Sequence, residues 1–302
     1  MGIYVTNIYD LNLAASTYKI SFWLWFKSND EKYEPEKAID IVGGKDIKVE
    51  ATATQRLADG TYYRSAKYSA TVNQMWDVRF YPFDRQELKI IIESTIEEVS
   101  SLIFVADEKN SGVDPHIVLP GWIFHSASVH ADTSVYKTDF GVGEGGQSIY
   151  PRFTTRVILD HAGGNIFSTD FLGFFVADIL TGVALFVESF EVTRMAIPLL
   201  GRLNMVVGSL FGAVGNTYIM GNMLPPRPVL SLPDVVQISS FSAIAVALIA
   251  TIGTESLGRL GYSPALVTAV ARSSVALYLA SQIGLGAYFL ATAREGKAAP
   301  AR

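Results

Sequence analysis

The run Arg79-Phe80-Tyr81-Pro82-Phe83-Asp84-Arg85-Gln86-Glu87 decides how the rest of the chain is read. Proline fixes φ and removes a backbone donor, so an aromatic-Pro-aromatic-Asp sequence interrupts regular structure and makes a turn. Apolar and polar residues alternate on both sides of it. Ala66-Lys67-Tyr68-Ser69-Ala70-Thr71-Val72 lies before the run and Leu88-Lys89-Ile90-Ile91-Ile92-Glu93 after it. Alternation of this kind reads as strands with one buried face. Far downstream the chain turns into long apolar segments. A bulky aromatic turn between two strands, ahead of several hydrophobic helices, points to a membrane protein rather than a soluble enzyme.

The two halves differ in kind. Residues 1–165 carry 16 Lys/Arg and 22 Asp/Glu, a formal charge of −6; residues 166–302 carry 8 and 7, a charge of +1. The shift argues for a polar β domain over residues 1–163 and a membrane domain over 164–302. An acidic first half excludes nucleic acid as a partner. The chain has no cysteine, which excludes disulfides and thiolate metal sites. His116, His125, His130 and His161 lack ligand-like spacing and read as ordinary surface or strand residues. The chain enters a strand directly after Met1-Gly2-Ile3, with no secretory signal in view. A domain destined for the outside of a membrane therefore implies a further N-terminal segment.

Other strand candidates fill the first half. They are Tyr18-Lys19-Ile20-Ser21-Phe22-Trp23-Leu24-Trp25-Phe26, Thr61-Tyr62-Tyr63-Arg64, Leu102-Ile103-Phe104-Val105, Trp122-Ile123-Phe124-His125 and residues 152–159. Asp59-Gly60 is a hairpin signal. Many short strands with turns between them predict an immunoglobulin-like β-sandwich of about ten strands. In the second half, segments 166–187, 202–223, 234–252 and 265–292 each supply the roughly 20 apolar residues that a spanning helix needs. The fold class is thus a β-sandwich followed by a four-helix transmembrane bundle. Two rivals predict something else. A membrane-anchored β-sandwich sensor needs one spanning helix, and a membrane enzyme wants convergent His or carboxylate residues in its helices.

The aromatic-Pro-aromatic-Asp run resembles the signature loop of the pentameric ligand-gated ion channels, the Cys-loop receptor superfamily. The positions that the family closes with a disulfide fall here on Gln74 and Leu88, so the chain resembles the cysteine-less bacterial branch. Pro120-Gly121-Trp122 looks like the start of the family's ninth strand, and residues 136–150, with their Gly-rich centre, look like its loop C. The resemblance implies a homopentamer: each chain has four identical subunits as partners, together with the lipid bilayer, permeant ions and a small-molecule or ionic effector. It implies a multi-pass protein of the bacterial inner membrane with its β domain in the periplasm, no enzyme activity and no required cofactor. The signature residues Tyr81, Pro82, Phe83 and Asp84 are expected to press on the linker after the pore helix, residues 225–233. That linker contains Pro225, Arg227 and Pro228 and holds four prolines in nine residues, a stiff lever. The basic residue that the family places where the last strand meets the first helix corresponds to about Asp160.

In the family the second helix lines the pore, with a basic residue below it and Leu-Pro above it. Anchoring on Arg194 gives the stripe Ala196, Leu200, Leu203, Val207, Leu210 and Val214. Anchoring on Leu224-Pro225 gives Asn204, Gly208, Phe211, Gly215, Tyr218 and Asn222, with Arg202 at the base. Both follow helical spacing. The first is wholly aliphatic and puts Pro198 inside the helix. The second has amides at its ends, small residues between and one bulky ring, Phe211, placed to act as a gate, which suits an aqueous path. Gly208, Gly212 and Gly215 are also what plain helix packing would use.

The resemblance places Tyr136 and Tyr150 at loop C aromatic positions and Glu93 at an acidic position, candidates to hold an amine by cation–π attraction. Glu97, Glu98, Asp107, Glu108 and Asp114 offer hard oxygen ligands for calcium modulation, though a solvated acidic face has the same composition. The acidic outer domain favours cation conduction, and Glu188 and Glu191 are candidates for an intracellular ring of charge. Inside the membrane, Asp178 and Arg272 fall at similar depths, which predicts an ion pair pinning the fourth helix to the first.

Overall fold

The computed structural model describes residues 1–141, 146–226 and 229–298. They fall into two compact units. Among the described residues one comprises Met1–Trp76 and Arg85–His161; the other comprises Asp77–Asp84 and residues 162–298.

The first unit is a two-sheet β structure with nine strands among the described residues: β1 Gly2–Asn12, β2 Thr17–Ser28, β3 Ile39–Ile41, β4 Gly44–Arg56, β5 Tyr62–Asn73, β6 Arg85–Ser94, β7 Gly112–Val113, β8 Trp122–Tyr136 and β9 Ser148–His161. One sheet has the order β4-β5-β2-β1-β7 and the other β3-β6-β9-β8. All pairs are antiparallel except β1 with β7.

Strand β2 shows why the sheets stack. Tyr18, Ile20, Phe22, Leu24 and Phe26 alternate with exposed or half-buried neighbours and are all buried. Period-two patterning puts such residues on one face. Ala66, Tyr68, Ala70 and Val72 of β5 join them, and Phe22 stacks on Tyr68 with ring centroids 5.6 Å apart. The other sheet supplies Leu88, Ile90 and Ile92 from β6 and Phe153, Val157 and Leu159 from β9. One polar tie crosses between the sheets: the Tyr18 hydroxyl donates to the Lys89 carbonyl at 2.9 Å. Edge strand β4 is nearly all exposed and carries Lys45, Asp46 and Lys48, charges that discourage edge-to-edge pairing.

Three expectations change at this level. Thr61–Arg64 and Ala66–Val72 belong to one continuous strand, β5, paired along β2 from Thr17↔Asn73 to Ser28↔Tyr62. Asp59-Gly60 is the turn from β4 into β5. Gly60 sits at φ +86, and the Asp59 carboxylate accepts from the Thr61 amide at 3.0 Å. Residues 102–105 are not a strand. Isolated contacts hold them beside the start of β1: the Met1 ammonium donates to the Val105 carbonyl, and Phe104 packs on Phe26. Strand β4, too polar for its pattern to show, was not foreseen.

The second unit contains α1 Gly163–Asp170, α2 Leu172–Ser189, α3 Glu191–Ala196, α4 Leu199–Met223, α5 Leu232–Arg259 and α6 Pro264–Ala298. Four of these, α2, α4, α5 and α6, are long and apolar enough to cross a membrane, and the chain is a membrane protein. The helices outrun the predicted spans. Helix α5 continues to Arg259 and α6 starts at Pro264, so the expected connection over 253–264 shrinks to a tight turn with Gly261 at φ +80. The first span is broken at Phe171 into α1 and α2. Pro198 caps α4 instead of entering it, and the short α3 absorbs the extra residues between α2 and α4.

The sandwich core sets the stability of the β unit. Phe22→Ala empties a fully buried site and should cost about 3–5 kcal/mol. A clear drop in the thermal unfolding midpoint of the purified protein, with strand circular dichroism retained at low temperature, is the expected result.

Candidate functional site

The signature loop belongs to the helical unit. Arg79 folds back on Asp77, with Nε 2.8 Å from Oδ1, and its guanidinium lies 5.5 Å from the Phe80 ring. The Tyr81 hydroxyl donates to the Asp170 carboxylate at the end of α1. Burial raises the Tyr81 phenol, and the Asp170 hydrogen bond raises it further, so it is a donor at every physiological pH. Phe83 packs edge-on against Phe289 of α6 at 5.2 Å and against Phe167 of α1 at 6.1 Å. A Cβ at Gly163 or Gly296 would collide with the loop backbone, so the approach is close on both sides.

Within the described residues the loop packs on α1 and α6. Toward the linker, the Leu232 amide donates to the Arg79 carbonyl at 3.2 Å. Pro225 is buried. Arg227 and Pro228 lie outside the described residues. The linker ends in a capping box, with the Ser231 amide donating to the Asp234 carboxylate at 2.8 Å, which starts α5.

A side-chain amide closes the ends of the loop where the family uses a disulfide. Gln74 Nε2 donates to the Glu87 carbonyl and to the Met75 carbonyl, each at 3.0 Å. Asp160 pairs with Arg85 at 2.6 Å and lies 3.6 Å from His125. The family's basic position is acidic here and takes its cation from β6.

Helix α4 is two-faced. Arg202, Val206, Ser209, Ala213, Asn216 and Met220 are buried against the other helices. At about 100° per residue, the side of the helix opposite these six is occupied by Asn204, Gly208, Phe211, Gly215, Tyr218 and Asn222. All six are exposed in the single chain, Phe211 at 73% and Tyr218 at 74%. The aliphatic stripe of the other register lies on a flank, and its Leu203 is half-buried.

Arg202 does not sit at the base of that exposed face. It is 2% exposed and points into the bundle, paired with Glu188 of α2 and, at 2.9 Å, with Glu255 of α5. Thr254 also donates to Glu188. Glu188 is 1% exposed, so it is spent on this cluster and cannot form a ring of charge in water. The side chain of Glu191 lies outside the described residues. Charge patterning alone could not find the cluster, because its members come from three helices.

The expected Asp178–Arg272 pair does not form. Asp178 accepts from Ser240 of α5 at 3.1 Å, and the Tyr278 hydroxyl of α6 donates to the Asp178 carbonyl at 2.7 Å. Tyr278, six residues beyond Arg272 and about 9 Å further along the helix, is the α6 residue level with Asp178. Arg272 lies on the exposed side of α6.

In the β unit, Tyr136, Tyr150 and Phe140 form a three-ring cluster with centroids 5.5–6.1 Å apart. Residues 142–145 of the loop beside it lie outside the described residues. Glu93 is buried below and already satisfied. Arg152 Nε lies 2.6 Å from one carboxylate oxygen and the Tyr136 hydroxyl 2.5 Å from the other. The resulting box contains its own cation, which works against an amine ligand. The calcium candidates do not converge within the chain: among the described residues no three His, Cys, Asp or Glu side chains form a metal-sized group. Asp107 accepts from Asn110 at 2.7 Å and from the Trp25 indole at 3.1 Å, and Asp114 accepts from His116.

Comparison with known proteins follows the same lines. No family model matches the chain. It is 25% identical over 146 residues to the proton-gated ion channel of Gloeobacter violaceus. The match covers 41% of this chain and only 40% of that channel.

Two outcomes test the site. Arg202→Met should destabilise the protein by about 3–5 kcal/mol, because Glu188 is left buried without its cation, while the double variant with Glu188→Gln should recover part of the loss. Melting of detergent-purified protein reads both. The second outcome concerns Asp107. Burial raises its carboxyl, but the Asn110 and Trp25 hydrogen bonds outweigh this and hold it below the usual range. Its contribution is complete above the ordinary Asp value of about 3.9 and is lost as pH falls through the lower folded value. Trp25 emission should shift only in that acid window, and Asp107→Asn should abolish the shift.

A two-sheet β unit, four apolar helices and an aromatic-Pro-aromatic-Asp loop seated on those helices accompany this similarity, and the chain is a membrane protein similar over part of its length to a proton-gated ion channel.

Proposed function

We propose that the chain is one subunit of a homopentameric, ligand-gated ion channel of the bacterial inner membrane, with its β domain on the periplasmic side. Helix α4 lines the pore with Asn204, Gly208, Phe211, Gly215, Tyr218 and Asn222, and Phe211 is the gate. One observation carries the reading: this stripe is the face of α4 opposite Arg202 and Asn216, whose side chains are buried and pair with other helices of the bundle. An exposed face with amides at both ends and glycines between is poorly suited to lipid and well suited to a water-filled axis. Five Phe211 rings meeting at one level would exclude water.

The acidic β unit supports cations as the permeant species, since it raises their local concentration at the entrance. The effector is a small molecule or ion, and protons are the first to try, since the similar channel is proton-gated. Calcium, if it modulates the channel, would need ligands from two subunits. Tyr81, Pro82, Phe83 and Asp84 receive the signal, and the segment with Pro225, Arg227 and Pro228 carries it to the pore helix.

Reconstitution into potassium-loaded vesicles tests the proposal. Acid-evoked or ligand-evoked efflux from particles of pentamer mass is the expected result, with a reversal potential that follows the cation gradient. Phe211→Ala should raise basal leak several-fold. No efflux from the protein or from Phe211→Ala would favour a membrane-anchored sensor without conduction. A silent Phe211→Ala beside a strongly leaking Leu203→Ala would move the pore to the aliphatic stripe.

A further inference from the structure

We infer that Asn216 is a positioning residue for gating, the side chain through which the signature loop acts on the pore helix without passing through the Pro-rich linker. The inference rests on the channel reading above. Asn216 is 5% exposed and lies on the side of α4 away from the proposed pore. Both ends of its amide are used. Oδ1 accepts from the Gly173 amide at 3.0 Å, and Nδ2 donates to the Asp170 carbonyl at 2.8 Å.

Those two partners flank the break at Phe171. Asp170 is the last residue of α1, and Gly173 lies in the first turn of α2. Helix ends leave carbonyls on one side and amides on the other without intrahelical partners. Away from water such groups cost about 1–3 kcal/mol each when unpaired. A single asparagine, donor and acceptor on one planar group, satisfies one of each and holds the two helices at their kink. The fit is tight: a Cβ on Gly173 would stand 2.6 Å from Asn216 Oδ1.

The same Asp170 carries the loop's signal. Its carboxylate accepts from the Tyr81 hydroxyl, and its backbone carbonyl accepts from Asn216. Tyr81, Asp170 and Asn216 are therefore a continuous series of hydrogen bonds from loop to α1 to α4. Movement of the loop pulls the end of α1, and α4 must follow or give up two bonds. The loop has a second exit, the bond from Leu232 at the start of α5 to the Arg79 carbonyl. The linker route and the Asn216 route leave the loop at different residues, so they can be separated by substitution.

A plain structural cap would stabilise α1 and α2 without coupling to Tyr81, and coupling is what a double-mutant cycle measures. The full chain is reconstituted in potassium-loaded vesicles and an acid step is the probe. Tyr81→Phe and Asn216→Ala should each shift the midpoint of efflux by about fivefold or more, in the range of coupled sites. The double variant should shift it no further than either alone. Gly173→Ala, which evicts Oδ1 while leaving Asn216 in place, should reproduce Asn216→Ala. Asn216→Asp, which keeps the acceptor and loses the donor, should fall between.

Effects of Tyr81→Phe and Asn216→Ala that multiply to within about twofold would overturn the inference, as independent sites add. Hydrogen exchange keeps the test decisive if a variant assembles poorly or no flux is seen. In Tyr81→Phe, faster exchange over both 163–176 and 209–220 supports the relay, and a change confined to 163–176 overturns it. Absence of efflux from every variant, Phe211→Ala included, would instead count against the channel reading, leaving exchange to decide the relay by itself.

Discussion

Polar groups buried between membrane helices have no water to turn to, and that constraint organises the helical unit. Small hydroxyls such as Ser209 turn back to their own helix, and the larger groups reach across to another. Arg202 takes Glu188 and Glu255, Asp178 takes Ser240, and Asn216 takes the ends of α1 and α2. Of these five bonds three end on α2 and four involve α4, so together they fix how α4 is rotated about its own axis. The polar residues of α4 that lack such partners, Asn204, Tyr218 and Asn222, are thereby turned to the opposite side. The proposed pore face lies opposite the polar groups that tie α4 to the bundle.

The loop shows a similar economy. A disulfide across a loop of this kind contributes about 2–4 kcal/mol, and a hydrogen bond only about 0.5–1.5 kcal/mol. The two bonds from Gln74 replace its geometry more than its energy. Much of the remaining restraint comes from the strands on either side, β5 and β6, each paired along its length in a different sheet. The tip of the loop is held by aromatic packing of Phe83 on Phe167 and Phe289 and by the Tyr81 hydroxyl. A loop anchored at its tip to the helices and closed at its base by an amide suits a part that transmits displacement.

The ligand region of the β unit departs from an amine box in its charge. Glu93 is neutralised by Arg152, which Ser134 also holds through its hydroxyl at 2.5 Å. Of the three rings beside it, Tyr136 and Tyr150 are half-buried and Phe140 is exposed.

Local sequence was enough for the elements and their order. Alternation in Tyr18–Phe26 and Leu88–Glu93 gave β2 and β6, the Asp59-Gly60 pair gave a hairpin, and apolar length gave the four spans, because each depends on neighbours within a few residues. The polar edge strand β4 and the false strand at 102–105 mark where that logic ends: one pairs through its backbone whatever its side chains, and the other is apolar without a ladder to join. The resemblance of the signature loop pointed to the family. Contacts distant in sequence were decided by tertiary structure alone. Nothing in the composition sets Tyr278 rather than Arg272 level with Asp178, places Arg202 inside the bundle, or brings Asn216 to Gly173, 43 residues earlier. Those choices depend on the rotation and sliding of whole helices, which only the simultaneous burial of apolar faces and pairing of buried polar groups can fix.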